Sequence, residues 1–233
     1  SFFTFIIINN AHEELQDKIE TLKTDYTNSQ KELIKNDVNS VINFITYYDN
    51  KYKKIKSTEQ IKKEVLEALT QIRPFDNVNE YLFIYDFNGI NLYQPISKDK
   101  IGEKYFDLTD SAGRKVIKEL IDISKQGNGG YVEYFWYKLD IFKNTKKLSY
   151  SNSYKNWNWA IGKGVYLDKI DKLVEEKEEE YNQKISNYTL QITSLTIMLV
   201  LYSIFIYKNA TILIVNDVKE IGKYFKESQK NDN

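Results

Sequence analysis

Apolar positions change their period along the chain, and each change marks an element. Between about Ala11 and Lys56 there is neither proline nor glycine. Leu15, Ile19, Leu22, Tyr26, Leu33, Val41, Ile45, Tyr48, Tyr52 and Ile55 recur mostly at three-, four- and seven-residue steps. That spacing predicts one long amphipathic helix, with a break near Lys35–Asn39. A second helix is predicted over Thr58–Arg73, with Ile61, Val65, Leu69 and Ile72 on one face and Arg73-Pro74 as its stop. The period then shortens. Tyr81–Asp86 alternates aromatic and aliphatic residues up to the turn signal Asn88-Gly89, and Ile90–Gln94 resumes as a second strand ended by Pro95, which makes a hairpin. Asp110 or Ser111 is placed to cap a short helix reaching about Gln126, with Val116, Ile117, Leu120 and Ile121 inside. After the glycine-rich break at Gly127–Gly130, three strands follow at Tyr131–Tyr137, Thr145–Asn152 and Asn158–Tyr166, predicted as an antiparallel meander. The expected fold class is α+β: a five-stranded antiparallel sheet with helices against one face and a long N-terminal helix.

The longest apolar stretch lies near the other end. Residues Ile185–Tyr207 carry no charge and are closed by Lys184 and Lys208. A helix of that length crosses the ~30 Å hydrocarbon core of a bilayer. A continuous helix is predicted from about Leu167 through Tyr207. The chain also opens on an apolar run, Phe2–Ile8, which reads as the end of a first membrane helix; the bland reading is a buried first element. The expected organisation is residues 1–10 as the end of that helix, 11–184 as one domain, 185–207 as a membrane span and 208–233 as a linker. Lys208, Lys219, Lys223 and Lys226 after the span place the tail in the cytoplasm and the 11–184 domain outside, by the positive-inside rule.

Composition narrows the chemistry. Basic and acidic residues balance at 33 each, so nothing points to a nucleic-acid footprint. The absence of cysteine excludes disulfides, thiol catalysis and thiolate metal sites, and one histidine, His12, leaves little room for imidazole catalysis or a multi-histidine metal site. Ile161-Gly162-Lys163-Gly164 lacks the spacing of a phosphate-binding loop, and no cofactor motif appears. Gly162 and Gly164 lie two apart and share one strand face. Glycine there allows either tight helix packing or the approach of a ligand. Tyrosines crowd the strands, and each buried hydroxyl needs a partner, which suggests a small pocket with hydroxyl donors. Lys147 sits in mid-strand, either solvated on an exposed face or turned into that pocket.

Several strings together resemble a known family. Lys31–Lys35, Tyr81–Gly89, Gly129–Trp136, Lys147–Tyr150 and Trp157–Tyr166 are similar, in order and spacing, to the single Cache domain, second subclass. The resemblance covers about Leu15 to Ile170. It implies a PAS-like sheet on a long N-terminal helix, an extracytoplasmic sensor region of a bacterial transmembrane receptor, and a small organic acid as ligand. Members often carry a histidine where this chain has Gln94, and Lys-Pro where it has Lys138-Leu139. Gln94 donates a hydrogen bond but no charge, so a carboxylate would rely on Lys147, tyrosine hydroxyls and backbone amides.

The functional expectation is a ligand-sensing domain that signals through its last helix, works as a homodimer within the inner membrane, contacts lipid and contains no enzyme of its own. The expected pocket is Tyr81, Phe83, Tyr85, Gln94, Tyr134, Trp136, Lys147 and Tyr150. The tail after the span lacks the early proline of many HAMP linkers, which favours a histidine kinase or diguanylate cyclase output over a chemoreceptor. The competing expectation is a membrane-anchored structural or partner-binding domain with no small-molecule ligand.

Overall fold

The computed structural model describes residues 2–72 and 79–231. The expected stop at Arg73-Pro74 lies outside the described residues. The elements run α1 (Phe2–Tyr52), α2 (Thr58–Ile72), β1 (Leu82–Asp86), β2 (Asn91–Tyr93), α3 (Val116–Ser124), β3 (Gly130–Lys138), β4 (Lys143–Tyr154), β5 (Trp159–Tyr166) and α4 (Asp168–Asn231). Two compact units emerge. One is Lys18–Glu176; the other joins the start of α1 to α4 from Lys177 onward.

Within Lys18–Glu176 the five strands form one antiparallel sheet in the order β2-β1-β5-β4-β3. The turn between β1 and β2 forms because Asp86 Oδ1 accepts the N–H groups of Asn88 and Ile90, at 3.0 and 2.8 Å. Gly89 occupies it with φ +85°, and a Cβ there would stand 2.7 Å from Phe106 Cβ. Any other residue at Gly89 would be strained on both counts.

Helices cover both faces of the sheet, not one as expected. On one face, α1 presents Ile34, Val38, Val41 and Ile45, and α2 presents Ile61, Val65 and Leu69, to Leu82, Ile84, Leu148, Tyr150, Ile161 and Val165. On the other, α3 lays Val116, Ile117, Leu120 and Ile121 against Phe83, Tyr85, Val132, Tyr134 and Ala160. Period-two alternation makes this inevitable: along the central strands β1 and β5 successive residues point to opposite faces and nearly all are buried, so both faces need a cover.

The expected break in α1 is absent. The helix runs on through Lys35–Asn39: Lys35 and Asn36 stay exposed, while Asp37 and Asn39 turn to the sheet. Asp37 pairs with Lys163 and Asn39 Oδ1 accepts Asn152 Nδ2 at 3.1 Å. Two further links, from Tyr131 Oη to the Lys31 carbonyl at 2.9 Å and from Tyr154 Oη to Asp49 Oδ2 at 2.5 Å, fix the helix in register on the sheet. The start of α2 is a capping box, with Ser57 and Gln60 each accepting the other's backbone N–H.

The helix expected from Asp110 begins only at Val116. Asp110 caps a turn rather than a helix: its Oδ1 takes the N–H groups of Ala112 and Arg114, both at 2.9 Å. Its Oδ2 takes Phe135 N–H at 3.1 Å, which ties that turn to β3.

In the other unit, α4 runs on without interruption. Among the described residues it is the one helix long and apolar enough to cross a membrane, and its most apolar window has no buried residue. The Tyr181 hydroxyl donates to the Ala11 carbonyl of α1 within the same unit.

Candidate functional site

The α3-covered face carries the chemistry. Register alone puts Tyr134 opposite Lys147, Lys147 opposite Tyr166, Ser149 opposite Gly164, and Gly162 opposite Phe83. Side chains at these matched positions all point to the same side of the sheet.

Lys147 is fully buried, and its Nζ has no hydrogen-bond partner. It stands 4.0 Å from the ring centre of Tyr81 and 4.7 Å from that of Tyr166. Burial pulls its pKa from the ordinary lysine value down to about 7, opposed by the charge of Glu80. An unpaired ammonium in a dry site is costly, and two aromatic faces compensate only in part.

Hydroxyls and amides surround this amine. Tyr134 Oη and Ser149 Oγ share a 2.8 Å hydrogen bond. Trp136 Nε1 donates to Tyr81 Oη at 3.0 Å. Burial pushes the Tyr81 phenol up to about 12, while hydrogen bonds from Trp136 and Gln94 partly offset it. Gln94 Oε1 accepts from Asn91 Nδ2 at 2.7 Å, and Asn91 Oδ1 is a second buried polar atom without a partner. Burial raises the phenols of Tyr85, Tyr134 and Tyr166 as well, so all stay neutral hydroxyls over any ordinary pH. The arrangement offers an anion one cation and several neutral donors, with Phe83, Tyr85, Ile117 and Ala160 as apolar lining.

The sequence expectation gathers here with one exception. Tyr81, Phe83, Tyr85, Tyr134, Trp136 and Lys147 share this face, and Gln94, just past β2, reaches Tyr81. Tyr150 does not join them. It lies three residues from Lys147 on the same strand, so it faces α1, packs at a tilt against the Tyr131 ring with centroids 5.0 Å apart and donates to the Asn128 carbonyl at 2.5 Å. Missing from the expected set were Ser149, Asn91 and Tyr166. The first was legible, since it is two residues from Lys147; the others needed the sheet order.

Gly162 and Gly164 are not open floor. A Cβ on Gly162 would strike the Phe83 ring, and one on Gly164 would strike Ser149 Oγ and come within 2.7 Å of Lys147 Cε. The glycines make room for the site's own side chains. The site also touches the start of α4: Tyr166 precedes it by two residues, its hydroxyl donates to the Tyr137 carbonyl at 2.8 Å, and Lys138 Nζ bonds Asp168 Oδ2 at 2.6 Å. A separate groove of about 480 Å³ lies between α2 and the turns at Asn88 and Asn158. Its Lys62 is already paired with Glu59 at 2.8 Å.

A family model described as Cache domain matches residues 7–233. The sensor histidine kinase MctS of Rhizobium johnstonii is 34% identical over 168 residues, which is 72% of this chain and 35% of that protein. The methyl-accepting chemotaxis protein McpP of Pseudomonas putida is 27% identical over 114 residues, 49% of this chain and 21% of that protein. The chain therefore spans about a third or less of the length of these curated relatives. Among solved structures, a methyl-accepting chemotaxis protein from Vibrio parahaemolyticus has a TM-score of 0.57 at 28% identity, covering 66% of this chain and 99% of that one. A Cache chemosensory domain solved for its recognition of carboxylic acids has a TM-score of 0.52 at 22% identity, covering 64% and 97%, a likeness of fold.

Proposed function

The chain belongs to the Cache family of sensor domains, and from that premise we propose that Lys18–Glu176 senses a small organic carboxylate outside the cell for a transmembrane receptor. The observation that carries the ligand class is Lys147 Nζ, buried with two tyrosine rings beside it and no acceptor. A carboxylate supplies the missing acceptor and counter-charge, and such charge-assisted bonds are about twice as strong as neutral ones. The apolar lining suits a short hydrocarbon tail. The solved Cache chemosensory domain that recognises carboxylic acids shares the fold, but the ligand class proposed here rests on this chain's own lysine.

Signal leaves through α4. Helix α1 is held on the sheet by four polar links, so it serves as the fixed element. The Tyr166–Asp168 junction is the element nearest the ligand. A carboxylate that draws Lys147 off the Tyr166 ring favours one position of that junction over another, and only such differential binding shifts the equilibrium. Because α4 is unbroken, the shift passes along it into the apolar segment around 185–207, the proposed membrane span. Residues 208–233 then form the cytoplasmic linker. The receptor works as a homodimer through its long helices in the inner membrane. Cache domains are non-catalytic ligand-binding modules, so catalysis belongs to an output domain. A histidine kinase is the output we favour, because MctS matches over 72% of this chain.

The test is a thermal-shift screen of the full chain against organic acids, amino acids and amines. A ligand at 100 times its Kd stabilises the fold by ~2.7 kcal/mol, several degrees for a domain this size. Carboxylates should give the hits, and Lys147→Met should abolish them. A response confined to amines would overturn the carboxylate class, and none at all from a folded chain would move the function to a protein partner.

A further inference from the structure

We propose that the site takes up its organic acid as an anion and a proton together, with the proton held on Lys147. This rests on the carboxylate reading and adds the state in which the ligand is read.

The inference stands on what faces Lys147 Nζ. From the residue before β1 comes Tyr81, from β3 Tyr134, and from β5 Tyr166, all phenols kept neutral by burial. Helix α3 covers this face of the sheet with Val116, Ile117, Leu120 and Ile121, and its one buried polar side chain, Ser124, is spent on the Ile121 carbonyl. Glu80, the carboxylate that acts on Lys147 from just before β1, is paired with Lys169 at 3.4 Å. Asp168, at the start of α4, is held by Lys138. Among the described residues, then, nothing anionic contacts the amine, and its Nζ makes no hydrogen bond. Low dielectric without a counter-charge favours the neutral amine; an arriving carboxylate reverses that preference. Burial, opposed by the more distant charge of Glu80, brings the empty site to a value of about 7.

The proton balance is explicit. Above about pH 7 the empty site holds R–NH2, the solution holds the acid as its anion, and the complex holds ammonium and carboxylate. One proton must enter with each anion, from solvent or on the undissociated acid itself. By linkage the Kd measured against the anion rises about tenfold per pH unit in that range and is flat below it. The receptor thus reports the product of anion and proton concentrations, and answers an acid more strongly in acidified surroundings.

The experiment is calorimetric titration of the full chain in lipid nanodiscs with acetate and propionate. It is run at about pH 6 and about pH 8.5, in two buffers of different ionisation enthalpy. The expected result is uptake of close to one proton per bound acid at the higher pH, little at the lower, and a Kd at least tenfold weaker at the higher. Lys147→Met should show neither uptake nor binding. Binding with the same Kd at both pH values and no proton uptake would overturn the proton coupling while leaving the carboxylate site intact. Uptake that persists in Lys147→Met would overturn the assignment to this residue. No binding of either acid at either pH would overturn the coupling together with the reading it rests on.

Discussion

Replacing Lys147 by methionine should stabilise the ligand-free domain while removing its ligand. Methionine keeps the unbranched stem and loses only the amine. In the unfolded chain that amine has its ordinary value of 10.5; in the fold it falls to about 7. At 1.36 kcal/mol per pH unit the difference costs the fold ~4 kcal/mol at pH 7. Contacts of a charged amine with two tyrosine rings offset roughly 1–2 kcal/mol of it, leaving a net cost of about 2–3 kcal/mol. The sign follows from proton counting. Between about pH 7 and 10.5 the unfolded chain binds more protons than the folded one, so stability rises with pH across that window. The cost is fully present below about pH 7 and gone above about 10.5. Trp136, Trp157 and Trp159 are the chain's three tryptophans and all lie in Lys18–Glu176. Intrinsic fluorescence of the full chain therefore reports melting of that unit alone. For a unit this size, 2–3 kcal/mol corresponds to roughly 4–12 °C in Tm. The variant should melt several degrees higher near pH 6.5, with the gap closing towards pH 10. A variant that melts lower near pH 6.5, or a gap that ignores pH, would refute the picture of an uncompensated buried cation.

Three other substitutions probe separate parts of the account. Gly164→Ala forces Ser149 and Lys147 aside, so acid binding should weaken at least ~tenfold by calorimetry while the fold survives, since both side chains are flexible enough to yield. Tyr154→Phe removes the 2.5 Å bond to Asp49 from the α1–sheet contact and should cost ~1.5–3 kcal/mol in thermal unfolding, because a buried carboxylate loses its donor; a change within error would show that α1 is held by its apolar stripe alone. Lys138→Gln frees Asp168 from β3. Binding should stay within about threefold, yet the ligand-dependent change in hydrogen exchange at the start of α4 should vanish; an unchanged response would remove Lys138 from the signalling path.

Much of the fold was legible because period and punctuation agree. The 3,4-spacing of Leu15, Ile19, Leu22 and Tyr26, and of Val41, Ile45, Tyr48 and Tyr52, and the Asn88-Gly89 turn lead to the elements observed. What failed did so for tertiary reasons. Lys35–Asn39 reads as a helix break only until Lys163 and Asn152 are known to face it. Asp110 reads as a helix cap until Phe135 is seen to take its second oxygen. In the site, period two ties Lys147 to Ser149 and Ser151 and separates it from Tyr150, so the Tyr150 expectation conflicted with the strand's own pattern. Pairing of β1 with β5 is the part no local pattern carries. It brings Tyr81 up to Lys147 beside Tyr166, and the sequence alone left that amine's surroundings open.

The central claim is that Lys147 is the counter-charge of a bound carboxylate. A crystal structure of the chain with an acid identified in the thermal-shift screen tests it most directly. The account predicts a carboxylate oxygen about 2.7–2.9 Å from Lys147 Nζ, with the acid's tail against Phe83 and Tyr85. An acid found instead in the groove beside Lys62 and Asn158, with Lys147 still unpartnered, would contradict it.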